Sequence, residues 1–335
     1  MAASKRWIRR MLGLFKARVP DLGLEKVSDP RKPRGKRWSL GVVLKACLLA
    51  LSCRMNSLAE MEALSAALGD GMKQLLGMKR RLPDTTAREI LVLLDPSELR
   101  QGLHRQVKAA KRRKALEPVG LPFGVVAIDG KTTALDAWDN QYAQRKRDHE
   151  GHGACGLLRT LTCCLVSSVS KVCLDAVPIS AHTNEMGMFP EAFRNLCQVY
   201  GTKMFELASM DAGMCSLENA NLVVNHNKHY LFGCKQDQPT LLEEARRLLA
   251  HQDKPLAETV DSCGDHEIHR RLYLTEEMAG FLNWRHLRTV VRVEAEVRYI
   301  DSEKVKSRES RYFLSSLPAN RLSHEQWLLL VRSHW

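Results

Sequence analysis

The 335-residue sequence lacks any unbroken apolar run of the roughly 18 residues that a membrane-spanning helix requires, so no membrane role is expected. It lacks a Cys-x-x-Cys pair among its ten cysteines, and closely spaced Cys or His pairs are what a zinc site needs. His149 and His152 stand near Cys155 without that spacing. The cysteines mostly have apolar neighbours, Cys163 and Cys164 within Leu161–Val166 among them, and are expected to be small buried hydrophobes of a reducing compartment. No internal repeat or low-complexity segment stands out. The first fifteen residues place Trp7, Ile8, Met11, Leu12 and Leu14 at the spacing of a short basic amphipathic helix. They lack the continuous apolar stretch and small-residue cleavage site of a secretory signal. The expected setting is cytoplasmic.

What the sequence has in excess is positive charge, +13 net. A balance of this size favours a polyanionic partner, nucleic acid first, over a merely solvated basic surface. The basic residues cluster in Asp29-Pro30-Arg31-Lys32-Pro33-Arg34-Gly35-Lys36-Arg37 and again in Lys108, Lys111, Arg112, Arg113 and Lys114. Between the clusters the apolar spacing is helical: Leu40, Val43, Leu44, Cys47, Leu48 and Leu51 recur at three- and four-residue steps. Ser57 with Glu60 predicts a capping box for a second helix. A third helix is expected after Pro83-Asp84-Thr85, and Leu99 to Ala115 reads as a fourth. Residues 1–37 are a basic lead-in and 38–116 an all-helical domain. The Pro- and Gly-containing segment 117–122 links that domain to the rest of the chain.

From Phe123 the pattern changes. Val125–Ile128 reads as a buried strand ending at Asp129-Gly130. Arg159–Ser168 and Val172–Val177 suggest a hairpin beside it. Asn184–Leu196 reads as a helix whose start Pro190 resets. Met204–Met210 is a strand ending at Asp211-Ala212-Gly213, succeeded by helix 217–225, strand 229–233 and helix 241–250. The sum is a mixed sheet covered by helices over 123–254. Residues 255–320 turn β-rich again, with strands expected at 268–274, 289–300 and 312–317. Residues 321–335 begin a helix with Ser323 as its cap and Gln326 at the matching position.

Asp129 and Asp211 are the informative pair. Each comes directly after an apolar strand, and ligands gather at the carboxyl ends of strands in open α/β sheets. Two converging carboxylates repel unless a cation lies between them. Magnesium suits such a pair, because it takes oxygen ligands and completes its shell with water and substrate phosphates. Two such ions about 3.5–4 Å apart support phosphodiester cleavage. The competing reading is that both aspartates are turn residues before small neighbours. Lys131 and Lys235 stand close by and would meet DNA phosphates as point charges, or be plain solvated residues. Trp284 beside Arg285 and His286 is either a base-stacking platform or a packing residue.

Segments in one order along the chain resemble those of DDE insertion-sequence transposases of the H-repeat-associated (ISAs-type) family. They are Val125-Val126-Ala127-Ile128-Asp129-Gly130-Lys131-Thr132, Thr183-Asn184-Glu185, Ser209-Met210-Asp211-Ala212, Tyr230 to Leu242 with its Lys235 and Gln238-Pro239, and Gly264 to Arg271. Tyr312-Phe313-Leu314-Ser315-Ser316-Leu317 and Arg332-Ser333-His334-Trp335 complete the series. In the first part, Asp29-Pro30-Arg31, Trp38-Ser39-Leu40 and Ser57-Leu58-Ala59-Glu60 fit the helical domain associated with these enzymes. Ala134, where the family usually has arginine, and Cys234, where it has an aliphatic residue, depart from the pattern.

The resemblance implies an RNase H-like mixed sheet interrupted by a β-rich insertion and preceded by an all-helical DNA-binding domain. It implies Mg²⁺ or Mn²⁺ held by the catalytic Asp129 and Asp211, and prokaryotic, nucleoid-associated action on transposon ends and target DNA as a homodimer or larger assembly. DNA contacts are expected from Arg31, Arg34, Lys36, Arg37, Lys111, Arg112, Arg113, Lys131 and Lys235. The family's third acid, a glutamate, falls about one turn past Trp335. A weakly active or inactive chain that only binds DNA is therefore the alternative expectation, a structure-directed nuclease a further one. The final helix is expected to be only partly docked through Trp327, Leu328 and Val331. Glu267 is the candidate substitute acid, against a plain salt bridge to Arg270 or Arg271.

Overall fold

The computed structural model describes residues 10, 13–34, 36–135, 141–147, 154–302 and 304–334. Trp7, Ile8, Met11 and Leu12 of the expected first helix, His149, His152 and Trp335 lie outside the described residues. The chain divides into two compact units, Met1–Arg113 and Lys114–Trp335.

The first unit is helical: α1 (Leu40–Ser52), α2 (Leu58–Ala67), α3 (Asp70–Leu76), α4 (Asp84–Val92) and α5 (Pro96–Arg112). The helical spacing of α1 buries Leu40, Val43, Leu44, Ala46, Leu49 and Ala50. They share a core with Trp38, Met61, Leu76, Leu82 and Ile90. Ser57 caps α2 by accepting the Glu60 amide at 3.1 Å, but the Glu60 carboxylate reaches the amide of Asn56, one residue earlier than a capping box requires. Asp95 caps α5, with Pro96 in its first turn. The short α3 is absent from the sequence pattern, because glycines at 69, 71 and 77 break it up. Gly77, at φ 79°, closes it in the left-handed conformation.

The second unit is built on one ten-stranded mixed sheet. Its strands are β1 (Val125–Leu135), β2 (Ala143–Arg147), β3 (Ala154–Leu165), β4 (Cys173–Pro178), β5 (Leu207–Met210), β6 (His229–Cys234), β7 (Ala257–Cys263), β8 (His266–Thr275), β9 (Thr289–Tyr299) and β10 (Val305–Ser315). They lie in the order β2-β3-β1-β5-β6-β10-β9-β8-β7, with β4 also paired to β3. β1 is antiparallel to β3 and parallel to β5, and β5 is parallel to β6. The apolar runs of β1, β5 and β6 reflect their place in the middle of the sheet, covered on both faces. Among the described residues, four helices complete the unit: α6 (Glu185–Tyr200), α7 (Leu217–Asn225), α8 (Pro239–Leu249) and α9 (His324–His334).

Several expectations are corrected. β1 continues six residues past Asp129 in register with β3, so Asp129-Gly130 is not a turn. Pro190 does not reset α6; Phe189 and Phe193 are fully buried on either side of it and stack at 5.5 Å, holding the helix across the missing bond. The β-rich region expected at 255–320 is present and belongs to the same sheet. β10 pairs with β9 along its length and with β6 at its end, fusing those strands to the central sheet.

α9 is fully docked. Trp327, Leu328, Leu330 and Val331 are buried against Val125, Leu207, Leu231 and Phe313, and the Trp327 indole donates to the Ala319 carbonyl at 3.0 Å. Ser323 and Gln326 cap it reciprocally, each side chain accepting the other's backbone amide. The cysteines are only partly as expected: Cys163, Cys215 and Cys234 are buried, while Cys53 and Cys263 are exposed. Trp284 is 6% exposed and packs edge-on to Tyr230 at 6.3 Å, which is a packing role.

Candidate active site

The site starts from the register of two strands. Parallel pairing of β1 with β5 runs from Val125↔Leu207 to Ile128↔Met210. The next residue on each strand is an aspartate. Asp129 and Asp211 therefore stand side by side where the two strands separate. Beyond this point β1 carries on with β3 alone, and β5 passes into a single helical turn, Ala212–Met214. This is the carboxyl end of the parallel strands, the place where α/β sheets present ligand groups.

Asp129 is exposed, and its Oδ1 accepts the Gly130 amide at 2.9 Å. Thr162 of β3 anchors its backbone by donating to its carbonyl at 2.9 Å. Asp211 is less exposed, and its Oδ1 is buried with no hydrogen-bond partner. An ionised oxygen left in that state is costly unless something absent from the polypeptide meets it.

A third carboxylate faces the pair. Glu185 is the first residue of α6, whose start is fixed by Asn184, its Oδ1 accepting the Gly187 amide at 2.8 Å. The Arg159 guanidinium donates to the adjoining Thr183 carbonyl. The Glu185 carboxylate lies over Gly130, where a Cβ would come within 1.8 Å of its Oε1. Partial burial pushes the Glu185 pKa up, and the charges of Asp211 and Asp129 push it further against the pull of Arg159. In the sequence Glu185 stands out only as part of an Asn-Glu step. The signal that could have found it is the glycine directly after Asp129, which gives a glutamate room to approach.

His334, near the end of α9, is a second site neighbour, which in the sequence stands out only as part of the Arg332-Ser333-His334-Trp335 segment. Its Nδ1 is 2.8 Å from Ser209 Oγ, two residues before Asp211. Burial pulls its pKa down to about 4, although Asp211 and Ser209 favour the charged form, so the ring is neutral near pH 7. Lys131 is exposed on β1. Lys235 is exposed at the end of β6 and lines a groove of about 560 Å³ with Asp211, Arg246, Arg311 and Tyr312. Arg246 lies 5.9 Å from the centre of the Tyr312 ring, and Arg311 is paired with Glu309 at 2.8 Å. Cys234 lines the same groove; burial pushes its thiol up to about 12, so it is inert.

The structure does not bring Glu267 to this site. It lies on β8, four sheet positions from β5, and its carboxylate is 3.2 Å from His269. The expected salt bridge is absent as well: Arg270 pairs with Asp261, and Arg271 lies 3.8 Å from Glu258. In the helical unit the basic residues divide. Arg31 makes two bonds to the Asp29 carboxylate, at 2.9 and 2.8 Å, and a third to the Trp38 carbonyl at 2.8 Å. That guanidinium clamps the start of α1. Lys36 lies 3.2 Å from Asp29, and Arg113 is paired with Asp21 at 2.8 Å. Lys111 is half-buried, while Arg34, Arg37 and Arg112 are exposed.

The donor set suits magnesium in kind, the ion implied by the family resemblance. It offers carboxylate oxygens, one of them buried and unpartnered, at the edge of a sheet. Among the described residues no group of three or more His, Cys, Asp or Glu closes into a ready-made metal cage. An open arrangement fits an ion that keeps several waters and binds through one or two carboxylates plus substrate phosphates. Among the described residues no helix is long and apolar enough to cross a membrane.

Residues 23–106, which hold α1 to α4 and most of α5, match the DDE_Tnp_1-associated family. No curated protein matches the chain. Among solved structures, the piggyBac transposase synaptic complex with hairpin DNA, determined by cryo-electron microscopy, is similar over 96% of this chain and 63% of that chain, at a TM-score of 0.41 and 11% identity.

Proposed function

We propose that the protein is a DDE-type DNA transposase, of the H-repeat-associated kind, in which the sheet unit carries an RNase H-like core that cuts and joins DNA strands. The observation that carries this reading is the placement of Asp129 and Asp211 at one register step beyond the paired ends of β1 and β5. The order β4-β3-β1-β5-β6, with β1, β3 and β4 antiparallel and β1, β5 and β6 parallel, supports the RNase H-like assignment. The family match over residues 23–106 supports a transposase-associated role for the helical unit.

A divalent cation bound here would supply a polarised water or hydroxyl and stabilise the leaving oxygen of a phosphodiester. The chain's own residues supply the rest. Asp129 and Asp211 offer oxygens on rigid strands, so their geometry is set before substrate arrives. Neutral His334 lies beside Asp211 without competing for it as a cation. Lys235 presents a positive charge to a phosphate along the groove. Arg34, Arg37 and Arg112 of the helical unit hold duplex DNA through its backbone.

The test is a strand-cleavage assay on duplex DNA carrying the element ends, with Mg²⁺ or Mn²⁺. Asp129→Asn and Asp211→Asn are each expected to lower the rate about a thousandfold or more, since each 1.4 kcal/mol of transition-state stabilisation is about tenfold. No cleavage by the wild type, or cleavage indifferent to either substitution, overturns the reading.

A further inference from the structure

We infer that Glu185 is a further acid of this site, an oxygen donor that lies over the bare backbone of Gly130 near Asp129 and Asp211 and reaches a divalent cation on the two aspartates through that ion's waters. The inference rests on the reading of the two aspartates as cation ligands, and assigns the next oxygen donor to a residue at the start of α6.

Three observations carry it. The first is the fit at Gly130: its backbone leaves a space that the Glu185 carboxylate fills, so closely that any side chain there would displace it. The glycine has no other conformational reason to be there, since β1 runs straight through it in register with Leu161. The second is that the Glu185 carboxylate, half-buried, receives no hydrogen bond and no ion pair among the described residues. The anchoring bonds go to its neighbours: Asn184 caps the helix and Arg159 holds the Thr183 carbonyl. The more deeply buried Glu296 has two donors, Arg298 and Arg308. The third is the orphaned Oδ1 of Asp211, a buried oxygen that no protein group meets.

A glutamate in a helix's first turn is also favoured by the helix dipole, whatever lies opposite. That explains the residue type at 185. It does not explain why the side chain is turned towards two like charges when solvent is open to it. Three carboxylates facing one another are stable together when a cation neutralises them, and magnesium accepts such donors directly or through its waters. α6 then becomes part of the site, with its apolar stripe Phe189, Ala192, Phe193 and Leu196 fixing Glu185 against the sheet.

The experiment is calorimetric titration of the full chain with Mn²⁺, beside thermal melting in EDTA. Asp129→Asn and Asp211→Asn test the underlying reading, Glu185→Gln tests the inference, and Glu267→Gln is the control. Glu185→Gln is expected to weaken Mn²⁺ binding about tenfold or more, a loss of about 1.4 kcal/mol, while melting in EDTA at or above the wild-type temperature, because a like charge has been removed. Glu267→Gln is expected to bind as the wild type does. Wild-type affinity in Glu185→Gln, with affinity lost in the aspartate variants, overturns the inference alone. Wild-type affinity in the aspartate variants too, or no Mn²⁺ binding by the wild type, overturns both. Melting of Glu185→Gln several degrees below the wild type in EDTA marks Glu185 as structural and also overturns it.

Discussion

Two glutamates of the sheet unit are withdrawn from water in opposite ways. Glu296 on β9 is 5% exposed, and the guanidiniums of Arg298 and Arg308 both donate to it. Burial raises its pKa, but the two arginines overcome that and hold it below the ordinary glutamate value. Glu185 is less buried, but its burial and then the charges of Asp211 and Asp129 push its pKa upward against the pull of Arg159. Where a charge serves the fold, the chain surrounds it with the opposite sign. Where like charges stand together with only Arg159 to offset them, as at Glu185, the proposed cation is the missing countercharge.

The basic residues of the helical unit divide by the same rule, and the division gives the largest expected effect. Arg31 is compensated by Asp29 and also holds the Trp38 carbonyl. Arg31→Ala is expected to destabilise the protein by about 2–3 kcal/mol, the loss typical of charged hydrogen bonds left unmade in a part-buried place. Arg34→Ala, at an exposed position, is expected to leave the melting temperature unchanged and to reduce the salt dependence of duplex binding by about one counterion. Melting curves and binding isotherms between about 50 and 200 mM salt separate the two. A wild-type melting curve for Arg31→Ala would mean that the Asp29 clamp does not stabilise the fold.

A smaller effect of opposite sign is expected within the sheet unit. Glu296→Gln leaves two arginines without a partner, yet Arg308 is 71% exposed and Arg298 35%, so water takes over much of the loss. The expected destabilisation is about 1 kcal/mol. Asp211→Asn in metal-free buffer should instead raise the melting temperature, because it relieves repulsion at Glu185 and gives the buried position a neutral group. If both substitutions destabilise to the same extent, the distinction between a structural and a ligand-binding carboxylate fails.

Much of this is legible in the sequence. The apolar runs before Asp129 and Asp211 mark central strands because strands covered on both faces need such residues. Ser323 with Gln326 marks a helix start because capping is local chemistry. The features that escape are non-local. The continuation of β1 past Asp129 depends on its pairing with residues 156–161 of β3, a stretch that begins before the strand read from Arg159. β2 and β7 leave no clear signal because they sit at the two edges of the sheet order, where exposure loosens the demand for apolar residues; β7 alternates between half-buried and exposed positions. The pairing of Arg31 with Asp29 also escapes, because charge composition does not reveal it. Glu185 escapes because its role depends on a glycine 55 positions earlier, and Glu267 takes its place in the sequence reading through its position within a family segment.

The smallest effect is the pH dependence of the two glutamates. Glu296 has a depressed folded-state pKa, so its stabilising contribution is present above the unfolded value of about 4.3 and is lost as pH falls through the folded value. Glu185 has a raised one, so its contribution is intact below the unfolded value and is lost as pH rises through the folded value. A glutamine imitates the protonated acid at every pH. In EDTA at neutral pH, Glu296→Gln should therefore melt below the wild type and Glu185→Gln at or above it. As the pH falls, the wild type protonates at each position and both gaps should narrow, Glu185→Gln closing first because its acid takes up a proton at higher pH. Melting temperatures of the three proteins between about pH 7 and pH 3 measure this directly. Parallel curves that keep their neutral-pH spacing into acid would show that neither glutamate's charge sets the difference, and the contrast between the two regions would then be one of shape alone.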